Sequence, residues 1–134
     1  MASTRLLIVD GSPLTAWLVT RVVPADVRVT TATTMQDAER QLTDDPPDAV
    51  IFNLTPCRIG WRRLVEMCLA HTPPIPFRCS SAVEGSAMHD RGLPCRREDH
   101  FAKTIPVGDL KRVITDLIAD AERRASHHPA ESDV

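Results

Sequence analysis

The chain has 134 residues, of which 43% are hydrophobic and 25% are charged, and its formal net charge is −2. This length fits a single domain around one core, and the balanced charge gives no indication of direct nucleic-acid binding. No apolar stretch approaches the roughly 20 residues of a membrane span, and the first residues lack the charged and apolar regions of a signal peptide. We therefore expect a cytoplasmic protein without a membrane partner.

The cysteines show no metal-binding or redox pattern. They stand ten or more residues apart, without a C-x-x-C pair, at Cys57, Cys68, Cys79 and Cys95. In a reducing compartment, such residues are expected to be free thiols. Cys68 and Cys79 lie in apolar patterns and are predicted to be small core residues, whereas Cys57 lies in a predicted loop and is the thiol to test for reactivity.

Short apolar runs alternate with helical patterns along the chain. Strands are predicted at residues 6–9, 27–29, 49–52 and 76–80 and just before Lys103. Helices are predicted after Ser12-Pro13, after Thr33 or Thr34, from Trp61 to Cys68, and from Leu110 to Ile118, where apolar residues recur at helical spacing. The residues expected to face the core from the first helix are Leu14, Trp17, Leu18 and Val22.

The remaining segments are less regular. Residues 83–99 contain Gly85, Gly92 and Pro94, which predicts a short or irregular fourth helix because both residue types disfavour helix. The polar residues 125–134 are expected to form a disordered tail after a domain of residues 1–124. Arg78 lies inside the fourth predicted strand. Because an unpaired buried charge costs several kcal/mol, it should meet a carboxylate or emerge at the end of the sheet.

Repeated βα units predict an α/β fold with one doubly wound parallel sheet of five strands and helices on both faces. In such folds, ligand chemistry gathers at the carboxyl ends of the strands. The polar residues that follow the first, third, fourth and fifth predicted strands are Asp10, Asn53, Ser81 and Lys103.

These residues and the strands that carry them form a recognisable combination. Leu7-Ile8-Val9-Asp10 ends in an acid, the run Asp48 to Leu54 holds Asn53, and Ser81-Ala82 precedes Lys103 by a 22-residue interval from Ser81. Together they resemble the receiver domain of bacterial two-component response regulators, over residues 4–124. The resemblance implies a flavodoxin-like fold with the strand order 2-1-3-4-5.

The chain departs from the family at the phosphorylation site. In the family, an acidic pair after the first strand and an aspartate after the third hold Mg²⁺, and the lysine and hydroxyl contact the phosphoryl group. Here Gly11 replaces one acid and Asn53 replaces the phosphoacceptor, while Ser81 and Lys103 remain. An amide is neither a nucleophile for phosphoryl transfer nor an anionic ligand. We expect a degenerate acceptor pocket without catalytic residues or cofactor, where Asp10 is the only residual metal ligand and Mg²⁺ binding is weak or absent.

The residues at the expected partner-binding face also differ from those of the family. His100 stands three residues before Lys103, where the family has an aromatic switch residue, and Ile105 stands where it has an aromatic after a proline. The face formed by His100, Ile105 and Lys111 is expected to contact a protein partner. The resemblance therefore implies an atypical stand-alone receiver that is not an enzyme. It would signal without phosphorylation by binding a histidine kinase, another regulator or a second copy of itself as a homodimer.

Other functions stay open on sequence grounds. The pocket residues, together with Arg58 in the following loop, fit a sensor for an anion or a small polar molecule. Phosphotransfer by another route would need Ser81 or a deamidated Asn53 as acceptor. Pairs of cysteine and histidine such as Cys57 with His71 have no spacing that requires catalysis.

Overall fold

The computed structural model describes residues 4–10, 13–54, 60–81, 100–102 and 107–126. Within these ranges, the strands form one parallel sheet in the order β2-β1-β3-β4-β5. The α/β architecture is therefore the predicted one. The strands are β1 (Thr4–Val9), β2 (Val27–Ala32), β3 (Ala49–Leu54), β4 (Phe77–Ser81) and β5 (His100–Ala102). The helices are α1 (Pro13–Val22), α2 (Met35–Asp44), α3 (Gly60–Ala70) and α4 (Val107–Ser126).

Side chains of the central strands alternate between two buried clusters, one on each face of the sheet. Leu7, Val50 and Phe52 pack with α2 and α3, whereas Leu6 and Ile51 pack with α1 and α4. Because both faces are covered, these strands read as continuous apolar runs in the sequence. The helical residues of the clusters are Ala38, Leu42, Leu64, Val65 and Cys68 on the first face and Val19, Leu110, Ile114, Leu117, Ile118 and Ala121 on the second.

Both ends of helix α2 are defined by identifiable residues. Thr34 has an extended backbone, and its hydroxyl accepts a hydrogen bond of 3.1 Å from the backbone N–H of Asp37. Of the two threonines predicted as caps, the structure thus selects Thr34. At the other end, the N–H of Asp45 donates to the carbonyl of Gln41 at 3.1 Å, and the two prolines that follow cannot continue the helix.

The prediction that Trp17 faces the core is wrong, since its side chain is 54% exposed. Apolar residues occur around most of the circumference of α1, so helical spacing alone does not select the buried side. The structure buries Val19, which is 1% exposed, and packs Leu18 and Val22 beside it as partly buried residues. Trp17 lies outside this contact, and the guanidinium of Arg21 stands 4.7 Å from its ring centre.

Several element boundaries differ from those predicted. Helix α4 continues to Ser126, two residues beyond the expected end of the domain, and β1, β2 and β3 are each longer than their apolar runs. The predicted irregular helix over residues 83–99 and the tail from residue 127 lie outside the described residues. None of the helices that the structure describes is both long and apolar enough to cross a membrane.

Candidate functional site

The carboxyl ends of β1 and β3 lie side by side. Val9 pairs with Phe52 in the parallel ladder, so Asp10 and the backbone of Asn53 follow at the same level of the sheet. Asp10 is 6% exposed, and its N–H donates to the carbonyl of Ala32 on β2 at 3.1 Å. An acid at this position is therefore held in place by strand pairing on one side and lies next to the third strand on the other.

The next two strands extend the same edge. The backbone of Asn53 pairs with that of Ser80, and Leu54 pairs with Ser81. Ser81 in turn pairs with Ala102, the residue just before Lys103. The register therefore brings the strand ends that carry Asp10, Asn53 and Ser81 together, as predicted. The other pocket residues, Gly11 and Lys103, lie outside the described residues, as does Arg58.

The predicted contact face is described in part. The backbone of His100 begins β5 and pairs with Cys79 on β4. Lys111 is exposed near the start of α4, where its carbonyl accepts a hydrogen bond of 2.8 Å from the hydroxyl of Thr115. Ile105 lies outside the described residues. The charged Lys111 is thus available at the surface, on the helix that follows β5.

Arg78 meets a carboxylate, as its buried charge required. Its Nη2 lies 2.7 Å from Oδ2 of Asp120 on α4, and the two side chains are 14% and 30% exposed. Its Nη1 also donates to the carbonyl of Phe77 at 2.9 Å, while the other oxygen of Asp120 binds Arg123, one turn further along the helix. This ion pair ties β4, which ends at Ser81, to the helix that carries Lys111.

The sequence alone does not identify Asp120 as the partner of Arg78. It lies 42 residues from Arg78, and nothing local connects the two. The sequence gives one weak indication of this role. Asp120 follows Leu117 by three residues and so borders the buried stripe of the helix. An acid at that place is a candidate partner for a charge on the sheet below.

The two described cysteines are core residues, as predicted. Cys68 and Cys79 are both 0% exposed, and neither of these two described cysteines forms a disulfide. Burial raises the pKa of the Cys68 thiol from 9.0 to about 12, although the nearby positive charge of Arg124 lowers it in part. Because the thiolate is the nucleophile, a thiol with this pKa is inert near neutral pH. Cys57, the candidate reactive thiol, lies outside the described residues.

The described residues offer no ready-made metal cluster. Across the five described ranges, no group of three or more His, Cys, Asp or Glu side chains is arranged to hold a metal ion. At the carboxyl edge, Asp10 is the acid that the structure places. What this edge of the sheet can bind therefore depends on which other side chains lie near the carboxylate of Asp10.

Comparisons with known proteins support the fold. A scan of protein-family models and a search of curated proteins found no match. Among solved structures, the chain is similar to a two-component transcriptional regulator AraC from Clostridium phytofermentans, with a TM-score of 0.77, 18% identity, and coverage of 93% of this chain and 100% of that one.

Two further structures show the same likeness. A response regulator from Thermotoga maritima gives a TM-score of 0.70 at 16% identity, covering 87% of this chain and 98% of that one. A response-regulator receiver domain from Francisella gives 0.68 at 16% identity, covering 90% and 98%. At such low identities, the likeness concerns the backbone. The chain has the fold of response-regulator receiver domains.

Proposed function

We propose that this chain is an atypical receiver of two-component signalling that acts by protein contact and does not depend on phosphorylation. The observation that carries the proposal is the position of Asn53. It is the last residue but one of β3, a central strand of a receiver-like sheet, where its backbone lies level with Asp10 after β1 and pairs with that of Ser80 on β4. A phosphoacceptor carboxylate at this position would receive the phosphoryl group, whereas the neutral amide of asparagine does not attack phosphorus.

The donors at this edge fit Mg²⁺ poorly. Asp10 supplies one carboxylate, Gly11 has no side-chain donor, and Asn53 offers a neutral oxygen at best. Mg²⁺ requires hard oxygen ligands in near-octahedral geometry and is commonly held by one or two carboxylates together with substrate phosphates. With one acid and no acceptor for a phosphate, the edge lacks the charge that would retain the ion. The proposal therefore includes no metal-dependent step.

A receiver fold that is not phosphorylated can still signal by binding a protein partner. The proposed contact face contains His100, Ile105 and Lys111, on β5, after it and on α4. The ion pair between Arg78 and Asp120, whose Nη2 and Oδ2 atoms lie 2.7 Å apart, supports this proposal because it links α4 to β4. A helix that is held against the sheet can present Lys111 to a partner with little loss of backbone freedom on binding. The proposed partner is a histidine kinase, another regulator or a second copy of the chain.

Capture of a partner from the native host tests this proposal. The purified chain would be immobilised as the wild type and as the variants His100→Ala and Lys111→Glu. Because these changes remove a side chain from the proposed face or reverse its charge, we expect about tenfold less captured partner, or roughly 1.4 kcal/mol. Equal capture by all three proteins would show that the proposed face is wrong.

The matched control is Arg40→Glu. Arg40 is exposed on α2, the helix that packs on the opposite face of the sheet from α4, and the substitution changes the net charge as Lys111→Glu does. It should leave capture unchanged. If Arg40→Glu lowers capture as strongly as Lys111→Glu, the partner responds to total charge and the proposed face has no specific role.

A further inference from the structure

Strand β2 lies at an edge of the parallel sheet, where it pairs with β1 among the described strands. An edge strand presents backbone N–H and C=O groups that can pair with a strand of another molecule, and proteins commonly protect such edges with proline or charge. The six residues of β2 contain no proline, and their one charge belongs to the exposed Arg28. The strand itself therefore gives its edge little protection.

The backbone hydrogen bonds show which groups of β2 face outward. The N–H of Asp10 donates to the carbonyl of Ala32 at 3.1 Å, so the backbone groups of Ala32 point toward the β1 side. Backbone groups of successive residues in a strand point in opposite directions. Those of Thr31, Val29 and Val27 therefore point away from β1. We call these three residues the outward row of β2.

Both ends of the outward row already carry a bond within the chain. At one end, the N–H of Val27 donates to the carbonyl of Pro24 at 3.0 Å. At the other end, Nε2 of Gln41 donates to the carbonyl of Thr31 at 3.1 Å. Gln41 belongs to α2, so a helix side chain reaches over to the edge of the sheet. An incoming strand would have to displace this amide in order to pair with Thr31.

Contacts within α2 hold the amide of Gln41 in place. Its Nε2 also donates to Oδ2 of Asp37, one turn earlier in the helix, at 3.3 Å. The other oxygen of Asp37 binds Arg40, and the N–H of Asp37 donates to the capping hydroxyl of Thr34. The amide therefore bridges the first half of α2 and the outward carbonyl of Thr31.

We propose that Gln41 protects the edge of β2 against pairing with β2 of a second copy of this chain. In a two-fold antiparallel contact centred on Val29, the residues of a hydrogen-bonded pair exchange both of their bonds. The carbonyl of Thr31 would then accept from the N–H of Val27 in the other copy. Both of these groups already have partners, and the two-fold symmetry repeats the conflict at the other end of the contact.

This inference goes beyond the proposed function and does not depend on it. The proposed partner face at His100, Ile105 and Lys111 lies at β5 and α4, whereas β2 stands at the other end of the strand order. If Gln41 protects the edge of β2, a second copy that binds this chain must use another part of the surface. The two proposals therefore stand or fall separately.

Sedimentation equilibrium of Gln41→Ala beside the wild type tests the proposal. Alanine removes the amide and is a good helix former. A two-fold contact would then no longer break two hydrogen bonds, so the mean mass should rise above 14.8 kDa at about tenfold lower concentration than for the wild type. Equal masses of the two proteins at every concentration up to about 1 mM would overturn the proposal.

A second substitution shows whether the new contact uses β2. Because the N–H of Val29 points away from β1, Val29→Pro removes an outward donor without removing a bond to that strand. The double variant Gln41→Ala with Val29→Pro should return to the mass of the wild type, and circular dichroism checks that it is folded. Association that persists in the folded double variant would place the contact elsewhere and contradict the proposal.

Two controls separate the amide from other features of this edge. Arg28→Ala removes the one charge of β2 and leaves both end bonds in place, so it should associate no more than the wild type. Thr43→Ala, at an exposed position on α2, should also leave the mass unchanged. If Arg28→Ala associates as strongly as Gln41→Ala, charge protects the edge and the role assigned to Gln41 is wrong.

Discussion

Replacing Phe52 with alanine should lower the free energy of unfolding by about 3–5 kcal/mol. Phe52 is 1% exposed in the centre of the sheet, and its ring meets that of Phe77 edge to face with centres 5.8 Å apart. Deleting the ring removes its transfer free energy and leaves a cavity between β3 and the helices α2 and α3. Because domains of this size are stable by about 5–15 kcal/mol, the loss would be a large share of the total.

Urea unfolding followed by far-ultraviolet circular dichroism measures this effect. Phe52→Leu is the matched control, since it retains most of the apolar volume and should cost less than about 1.5 kcal/mol. A loss from Phe52→Ala no larger than that from Phe52→Leu would contradict the packing described for this face.

Removing the carboxylate of Asp120 should destabilise the fold by about 2 kcal/mol. Arg78 is 14% exposed, and a charge at this depth loses much of its compensation when a partner is deleted. The effect is smaller than for a fully buried pair, because 30% of the Asp120 side chain is exposed and solvent screens the interaction. Asp120→Ala, measured by urea unfolding, gives the value directly.

A double-mutant cycle isolates the ion pair from other effects. Arg78→Met keeps much of the aliphatic volume without the charge, and we expect the double variant to lose at least 1 kcal/mol less than the sum of the single variants. Asp116→Ala is the control, because Asp116 is an exposed acid on the same helix, and it should change stability by less than about 0.5 kcal/mol. Additive losses from the two single variants would show that the 2.7 Å contact between Arg78 and Asp120 contributes little.

The sheet was predictable because its strands are buried on both sides. Runs such as those around Leu7 and Ile51 have no polar interruption, and the polar residues after them mark the carboxyl edge. Since parallel strands end at the same edge, the neighbourhood of Asp10, Asn53 and Ser81 follows from the order of the strands. The backbone register agrees with that expectation.

Long-range side-chain contacts could not be predicted in the same way. The contact between Arg78 and Asp120 depends on the angle at which α4 crosses the sheet, and a single sequence does not reveal that angle. The exposure of Trp17 depends on which side of α1 turns inward, and apolar residues occupy most of the circumference of that helix. In both cases, the packing of several neighbouring elements determines where the side chain lies, and the local sequence pattern does not.

Intact-mass spectrometry after incubation with acetyl phosphate and Mg²⁺ tests the central claim, namely that the amide of Asn53 cannot take the place of a phosphoacceptor. The wild type should gain no phosphoryl group, whereas a double variant with Gly11→Asp and Asn53→Asp, which restores both carboxylates, should gain one. A wild-type chain that takes up one phosphoryl group per molecule, and loses this ability in Asn53→Ala or Ser81→Ala, would contradict the account.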